Sequence, residues 1–355
     1  MEPRENPELL GQAAAEKALL DGALSGRLAH AWLLCGPRGV GKATLAFRFA
    51  RFLLAGQAES RGGLFGDGPA SLAVEPSNPV FRQVASGGHP DLRTLERNIN
   101  PKTGKMRTEI VVDDVRDAIS FLHLTPTEGG WRIVIVDGAE EMNRNAAKSL
   151  LKSLEEPRPR TVLMLVSHAP GRLLPTIRSR CRRLDIKALE PALVMDLLAR
   201  RMPALGEADR RMAAGFAEGS IGRALTLAEA GGTDLYRDIS ELLLPLPKLD
   251  GPQLHRLADK LARGSTDGAF RTAGDLLLGW LARMLKVSSG AGEAGEIVPG
   301  ELASMRRLGA HGPANRWIEQ IESIRRQFAL VEGLNLDRRQ VWIAAMLGLQ
   351  RLAAG

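Results

Sequence analysis

The sequence predicts an α/β domain built on a parallel β-sheet with helices on both faces, followed by two smaller all-helical domains. Short apolar runs alternate with helical stretches in the first half of the chain, one run leads through a glycine-rich loop into a helix, and no strand pattern follows Pro191. The 355 residues exceed what one hydrophobic core usually organises. We therefore predict domains at residues 1–187, 188–232 and 233–355.

Four apolar runs are predicted to form the strands of the sheet. They are Ala31 to Cys35, Asp91 to Leu95, Ile133 to Val136, and Thr161 to Val166. Continuous apolar runs of this length are typical of parallel strands that are buried on both faces. Between residues 56 and 88 the sequence becomes rich in glycine, proline and serine without a period, which predicts a surface insertion.

The second half of the chain is predicted to be helical. Near its end four apolar residues recur at the spacing of one helix face, which indicates core packing rather than ligand binding. They are Trp317, Ile321, Ile324 and Phe328. A flexible loop is expected at residues 288–299, where glycines and a proline interrupt the helical pattern.

Charge and cysteine content narrow the class of protein. The formal net charge of +7 permits contact with nucleic acid, but an arginine-rich composition explains it equally well because no dense basic run is present. Two cysteines, Cys35 and Cys181, are too few for a zinc site, so no metal is expected. The N-terminus lacks the apolar core of a signal peptide, and no run reaches the roughly 18 apolar residues of a membrane helix. The chain is therefore predicted to be cytoplasmic.

The glycine-rich loop is a nearly complete phosphate-binding motif. Residues 36–43 read Gly-Pro-Arg-Gly-Val-Gly-Lys-Ala, whereas the motif ends in lysine followed by serine or threonine. Such glycines let backbone amides wrap a phosphate, and the lysine reaches the outer phosphates. The residues predicted to bind nucleotide phosphates are Gly36, Gly39, Gly41 and Lys42. Ala43 lacks the hydroxyl that would bind magnesium, and Thr44 is rotated away by about 100° on a helix.

The second element of a nucleotide site is an apolar strand that ends in Asp-Glu, where the Asp positions magnesium and the Glu orients the attacking water. Here the strand ends in Asp137, but Gly138 follows it. Asp137 is predicted to complete a degenerate phosphate site. Glu140 and Glu141, two and three residues beyond Gly138, are predicted to be solvated rather than to replace the missing base.

Taken in order, these motifs resemble those of the clamp-loader subunits of the AAA+ family. The matching segments are the His-Ala-Trp-Leu entry at 30–33, the phosphate loop, Asp137, the Leu-Leu-Lys-x-Leu-Glu-Glu-Pro helix at 150–157 and the Ser-Arg-Cys motif at 179–181. They cover roughly residues 9 to 187. The resemblance implies an AAA+ domain, a helical lid and a helical collar that holds a ring together. It also implies that Arg180, with Ser179 beside it, acts in trans as an arginine finger at a neighbouring ATP site.

The chain departs from the ATP-hydrolysing gamma and tau subunits of that family at three functional positions and in its cysteines. Ala43 and Gly138 stand where those subunits have a magnesium-binding hydroxyl and a glutamate. Gly222 occupies the position of the family's sensor arginine, and Arg223 lies one residue after it. The zinc-binding cysteines of those subunits are missing as well. This joint loss resembles the family's stator subunit, which does not hydrolyse ATP.

The resemblance to the stator implies partners and limits the chemistry of the chain alone. Its partners would be gamma/tau and delta subunits in a hetero-pentameric ring of the DNA polymerase III holoenzyme, and through them the sliding clamp and primed DNA. No cofactor is expected to be required, and ATP or ADP would bind weakly with little dependence on magnesium.

Three alternatives stay open on the sequence. An active gamma/tau-like motor is disfavoured by Ala43 and Gly138, and an ATPase assay would decide. A P-loop kinase has no use for the helical C-terminal third, and a direct DNA-binding protein would bind primed DNA as the isolated chain. At residue level, the structural alternative for Arg180 is a surface ion pair with Asp185 or Glu156.

Overall fold

A computed structural model describes residues 2–58, 69–100, 104, 106–127, 130–229, 231–263, 268–290, 295–334 and 336–355. The chain divides into two compact units, Met1–Leu189 and Glu190–Gly355. The division into three domains, with boundaries after residues 187 and 232, stays a prediction.

The first unit contains a five-stranded parallel sheet. Its strands are β1 (Ala31–Cys35), β2 (Leu92–Leu95), β3 (Arg132–Asp137), β4 (Thr161–Ser167) and β5 (Arg182–Asp185), in the order β2-β3-β4-β1-β5. The four predicted strands are confirmed. The sequence did not predict β5, because this short edge strand is charged and mostly exposed and so has no apolar run.

Helices cover both faces of the sheet, as predicted. They are α1 (Ala13–Leu24), α2 (Lys42–Leu54), α3 (Pro79–Ala85), α4 (Val112–His123), α5 (Arg144–Glu155) and α6 (Pro175–Arg178). Alternate strand residues enter two separate cores, so that Leu34 packs with residues of α1 and α2 whereas Leu33 packs with residues of α4, α5 and α6. This two-sided burial explains why the central strands read as continuous apolar runs.

Part of the predicted surface insertion belongs to the core. Residues 59–68 lie outside the described residues, but α3 is capped by the Asn78 side chain, which accepts a hydrogen bond from the Val80 amide at 2.8 Å. Phe81 is buried and lies under the guanidinium of Arg51, 4.4 Å from the ring centroid. The prediction of a surface insertion is therefore wrong for this segment.

The described elements of the second unit are all helices, in agreement with the sequence. They are α7 (Pro191–Arg201), α8 (Glu207–Phe216), α9 (Ile221–Glu229), α10 (Gly232–Leu243), α11 (Gly251–Arg263), α12 (Gly268–Ser288), α13 (Glu301–Gly309), α14 (Ala314–Leu334) and α15 (Arg338–Ala354). The predicted core stripe is confirmed, since Trp317, Ile321 and Ile324 are buried and the half-buried Phe328 packs against aromatic rings of the same unit. None of the helices in the described ranges combines the length and the apolar character that crossing a membrane requires.

A buried ion pair fixes the end of the predicted flexible loop. Residues 291–294 lie outside the described ranges, but Arg283 donates to the carbonyl oxygen of Gly295 at 2.8 Å and pairs with Glu301 at 3.2 Å. Glu301 also accepts a hydrogen bond from the Ile297 amide at 3.1 Å. The loop is therefore anchored at residues 295–297, which composition alone did not predict.

Candidate functional site

The loop between β1 and α2 has a backbone that favours glycine. The φ angles are 153° at Gly36, 77° at Gly39 and 99° at Gly41. A Cβ on Gly36 would lie 2.1 Å from the carbonyl oxygen of Ile186, directly after β5. Because α2 begins at Lys42, its first backbone amides border this loop, as the phosphate-binding prediction requires.

Lys42 is buried, with 4% of its surface exposed, and its ammonium contacts the loop itself. Its Nζ donates to the carbonyl oxygens of Gly36, at 2.8 Å, and Pro37. Burial lowers the pKa of Lys42, and the nearby carboxylates of Asp137 and Glu140 oppose that shift. The fold thus brings Lys42 and Asp137 into one electrostatic environment, although the lysine must leave the carbonyls to reach a phosphate.

Asp137 and Gly138 stand at the carboxyl end of β3. Burial raises the pKa of Asp137, nearby Glu96 raises it further, and Lys42 lowers it. Gly138 has a φ of 79°, and a Cβ there would lie 2.9 Å from the carboxylate of Glu141. With this backbone, a glutamate at position 138 would be strained, and its Cβ would crowd the Glu141 side chain.

The prediction that Glu140 is solvated is wrong. Its side chain is 1% exposed, because the single 3₁₀ turn at Ala139–Glu141 directs it inward. Its Oε1 accepts a hydrogen bond from the His168 amide at 3.1 Å, and its Oε2 has no hydrogen-bond partner among the described residues. Burial raises the pKa of Glu140, but hydrogen bonds from the backbone, Ser167 and His168 lower it overall. Glu140 therefore joins the ends of β3 and β4 as a carboxylate.

Arg180 lies at the surface directly after α6. Its Nη2 is 2.9 Å from Oε1 of Glu155, the last residue of α5. Its Nη1 donates to the carbonyl oxygen of Thr176 at 3.0 Å and contacts the Ser179 hydroxyl at 3.4 Å. An exposed ion pair of this kind contributes about 0–1 kcal/mol. The ion pair with Glu155 therefore restrains the Arg180 side chain only weakly.

The sequence suggested a surface ion pair of Arg180 with Asp185 or Glu156, but Arg180 pairs with Glu155 instead. Asp185 pairs with Arg183 at 2.7 Å, and Glu156 has no ion pair within the described ranges. Nothing in the sequence of residues 154–156 indicates that Glu155 contacts Arg180. Only the packing of α6 against α5 places Glu155 there.

Arg223 and the two cysteines have contacts or surroundings that the sequence did not predict. Arg223, which follows Gly222 on α9, stacks on Phe216 at 4.5 Å and lies 3.6 Å from Glu218. Cys35 and Cys181 are free and buried, and burial raises the pKa of both thiols, that of Cys181 to about 12. The described part of the chain holds no group of three or more side chains suited to bind a metal.

Comparisons with known proteins agree with the sequence pattern. A family model described as "DNA polymerase III, delta subunit" matches residues 11–190. The chain is 42% identical over 175 residues to the delta-prime subunit of DNA polymerase III from Pseudomonas aeruginosa, covering 49% of this chain and 48% of that protein. It is 32% identical over 189 residues to the delta-prime subunit from Bacillus subtilis, covering 53% and 51%. The chain thus matches about half the length of these two relatives.

More distant similarities extend further along the chain. The tau subunit of DNA polymerase III from Bacillus subtilis is 25% identical over 284 residues, which cover 78% of this chain and 46% of that protein. A solved structure of a protein related to the gamma subunit, from Thermotoga maritima, is 17% identical, with a TM-score of 0.40 and coverage of 94% of this chain and 99% of the other.

Proposed function

The chain belongs to the delta-prime family of DNA polymerase III clamp-loader subunits, and from that premise we propose that it is the stator of the loader ring. In this role it supports ATP-dependent loading of the sliding clamp onto primed DNA without hydrolysing ATP itself. Its partners are gamma/tau and delta subunits in a hetero-pentamer. It contributes Arg180 as a trans-acting finger at the ATP site of one neighbour.

The observation that carries this proposal is the combination of an altered hydrolytic site with an accessible arginine. Ala43 supplies no magnesium ligand, and Gly138 supplies no carboxylate in a backbone that would strain a side chain. Arg180 is 36% exposed and is held only by weak contacts. A subunit with these features supports chemistry at a neighbour's site better than at its own.

The phosphate loop retains a smaller role in this proposal. The backbone N–H groups of residues 38–42 and the Lys42 ammonium suit phosphate oxygens, but the ammonium first has to leave the carbonyls of Gly36 and Pro37. Nucleotide binding is therefore weak and depends little on magnesium, because Ala43 cannot ligate the ion. No cofactor is required for the stator role.

The isolated chain is expected to hydrolyse ATP no faster than its Lys42→Ala variant. The reason is that it lacks the hydroxyl that would ligate magnesium, the carboxylate that would orient water, and the sensor arginine of the same subunit. Steady-state phosphate release from the two purified proteins, at saturating ATP and magnesium, measures this. Turnover by the natural chain that disappears in the Lys42→Ala variant would identify an active motor subunit instead of a stator.

A further inference from the structure

The guanidinium of Arg180 is restrained from two directions. Two contacts come from its own short helix and the turn after it, namely the Thr176 carbonyl at 3.0 Å and the Ser179 hydroxyl at 3.4 Å. The third comes from Glu155 at the end of α5, at 2.9 Å. Glu155 is thus the contact among the three that ties the tip of Arg180 to a different element.

Core packing fixes the two elements that meet at this ion pair. Ile177 of α6 is fully buried and belongs to the same hydrophobic core as Leu150 and Leu154 of α5. Since these residues lie within a few positions of Arg180 and Glu155, the backbone of both is held in place. The ion pair then needs to order only two side chains.

The contacts leave part of the guanidinium available. An arginine carries five N–H donors, and the three contacts engage donors of the two Nη atoms. Two donors remain for the oxygens of a phosphate, so Glu155 can stay bound while Arg180 engages a second anion. A carboxylate in this position orients the planar fork as well as attracting it.

We propose that Glu155 is a positioning residue for Arg180, whose carboxylate holds the guanidinium in the orientation that meets the neighbouring subunit's phosphate. This inference rests on the proposed trans role of Arg180. Glu155 itself touches neither the nucleotide nor the reacting atoms. It acts by restricting the rotamers of Arg180 before the neighbour's transition state forms.

The test uses Glu155→Gln in a loader reassembled with gamma/tau and delta subunits. This substitution keeps the size of the side chain and removes its charge. Because an exposed ion pair contributes only a small free energy, we expect single-turnover ATP hydrolysis at the adjacent site to slow about two- to fivefold, with unchanged affinity for ATP. Glu156→Gln is the matched control, since Glu156 is exposed at the next position, and it should leave the rate unchanged.

A double-mutant cycle separates positioning from a structural role. If Glu155 acts through Arg180, Glu155→Gln has no further effect in an Arg180→Ala background. An equal loss in both backgrounds, or an unchanged or faster rate in the single variant, would overturn the positioning role while leaving the finger intact. If the Arg180→Ala loader hydrolysed ATP at the adjacent site as fast as the unsubstituted loader, the trans role of Arg180 would be refuted, and the positioning role of Glu155 with it.

Discussion

Replacing Arg180 by alanine is expected to slow hydrolysis at one neighbouring ATP site by about a thousandfold or more, the usual contribution of an arginine finger. Folding and ring assembly should change little, because Arg180 is at the surface and loses only an exposed ion pair and local hydrogen bonds. Total ATPase of the reassembled loader falls only partly, since the other sites keep their own fingers. Clamp loading falls further because it requires coordinated hydrolysis.

Two matched variants sharpen this test. Arg178→Ala removes an exposed arginine two residues earlier on α6 and should leave both rates unchanged. Arg180→Lys keeps the charge without the planar fork and should recover only part of the activity. If the Arg180→Ala loader loaded clamps and hydrolysed ATP at the adjacent site at the rates of the unsubstituted loader, Arg180 would not be the arginine finger.

Replacing Glu301 by alanine is expected to lower the free energy of unfolding of the second unit by about 3–5 kcal/mol. Glu301 is fully buried and pairs with Arg283, and it also accepts hydrogen bonds from Tyr236 and the Ile297 amide. Without it, the Arg283 charge stays buried and uncompensated. Denaturant titration monitored by tryptophan fluorescence measures the loss, because Trp280, Trp317 and Trp342 are buried in this unit.

Glu296→Ala is the control for that substitution. Glu296 lies five residues earlier, is exposed, and within the described ranges accepts a single long hydrogen bond, of 3.4 Å, from the Leu302 amide. Its replacement should cost less than about 0.5 kcal/mol, as is usual for surface positions. Equal stability of the two variants would show that the buried pair contributes nothing beyond a surface contact.

Local sequence pattern predicted those parts of the fold whose burial is uniform. The central strands, such as Thr161 to Val166, are buried on both faces and therefore read as apolar runs. The strand β5 is mostly charged and lies at the edge of the described sheet, and no periodicity distinguishes it from a loop. The segment at 72–84 carries no core signal for a related reason, because its buried residues are spaced irregularly among prolines and polar residues.

The candidate site was predictable where a backbone geometry demands a residue type and unpredictable where tertiary packing decides. The loop glycines and Lys42 follow from the phosphate-binding motif, and the structure places them together. The burial of Glu140 depends on a 3₁₀ turn, and the contact of Glu155 with Arg180 depends on how α6 packs on α5. Neither arrangement leaves a periodic signal in the sequence.

Reassembly with gamma/tau and delta subunits, followed by measurement of the mass of the complex, tests the stator role most directly. A stator has its function only within a ring, so we expect one copy of this chain in a hetero-pentamer that forms without ATP hydrolysis by this chain. The Lys42→Ala variant should assemble equally well, because the phosphate loop is not needed for the role. A chain that stays monomeric with these partners, or that forms an active ATPase ring by itself, would contradict the account.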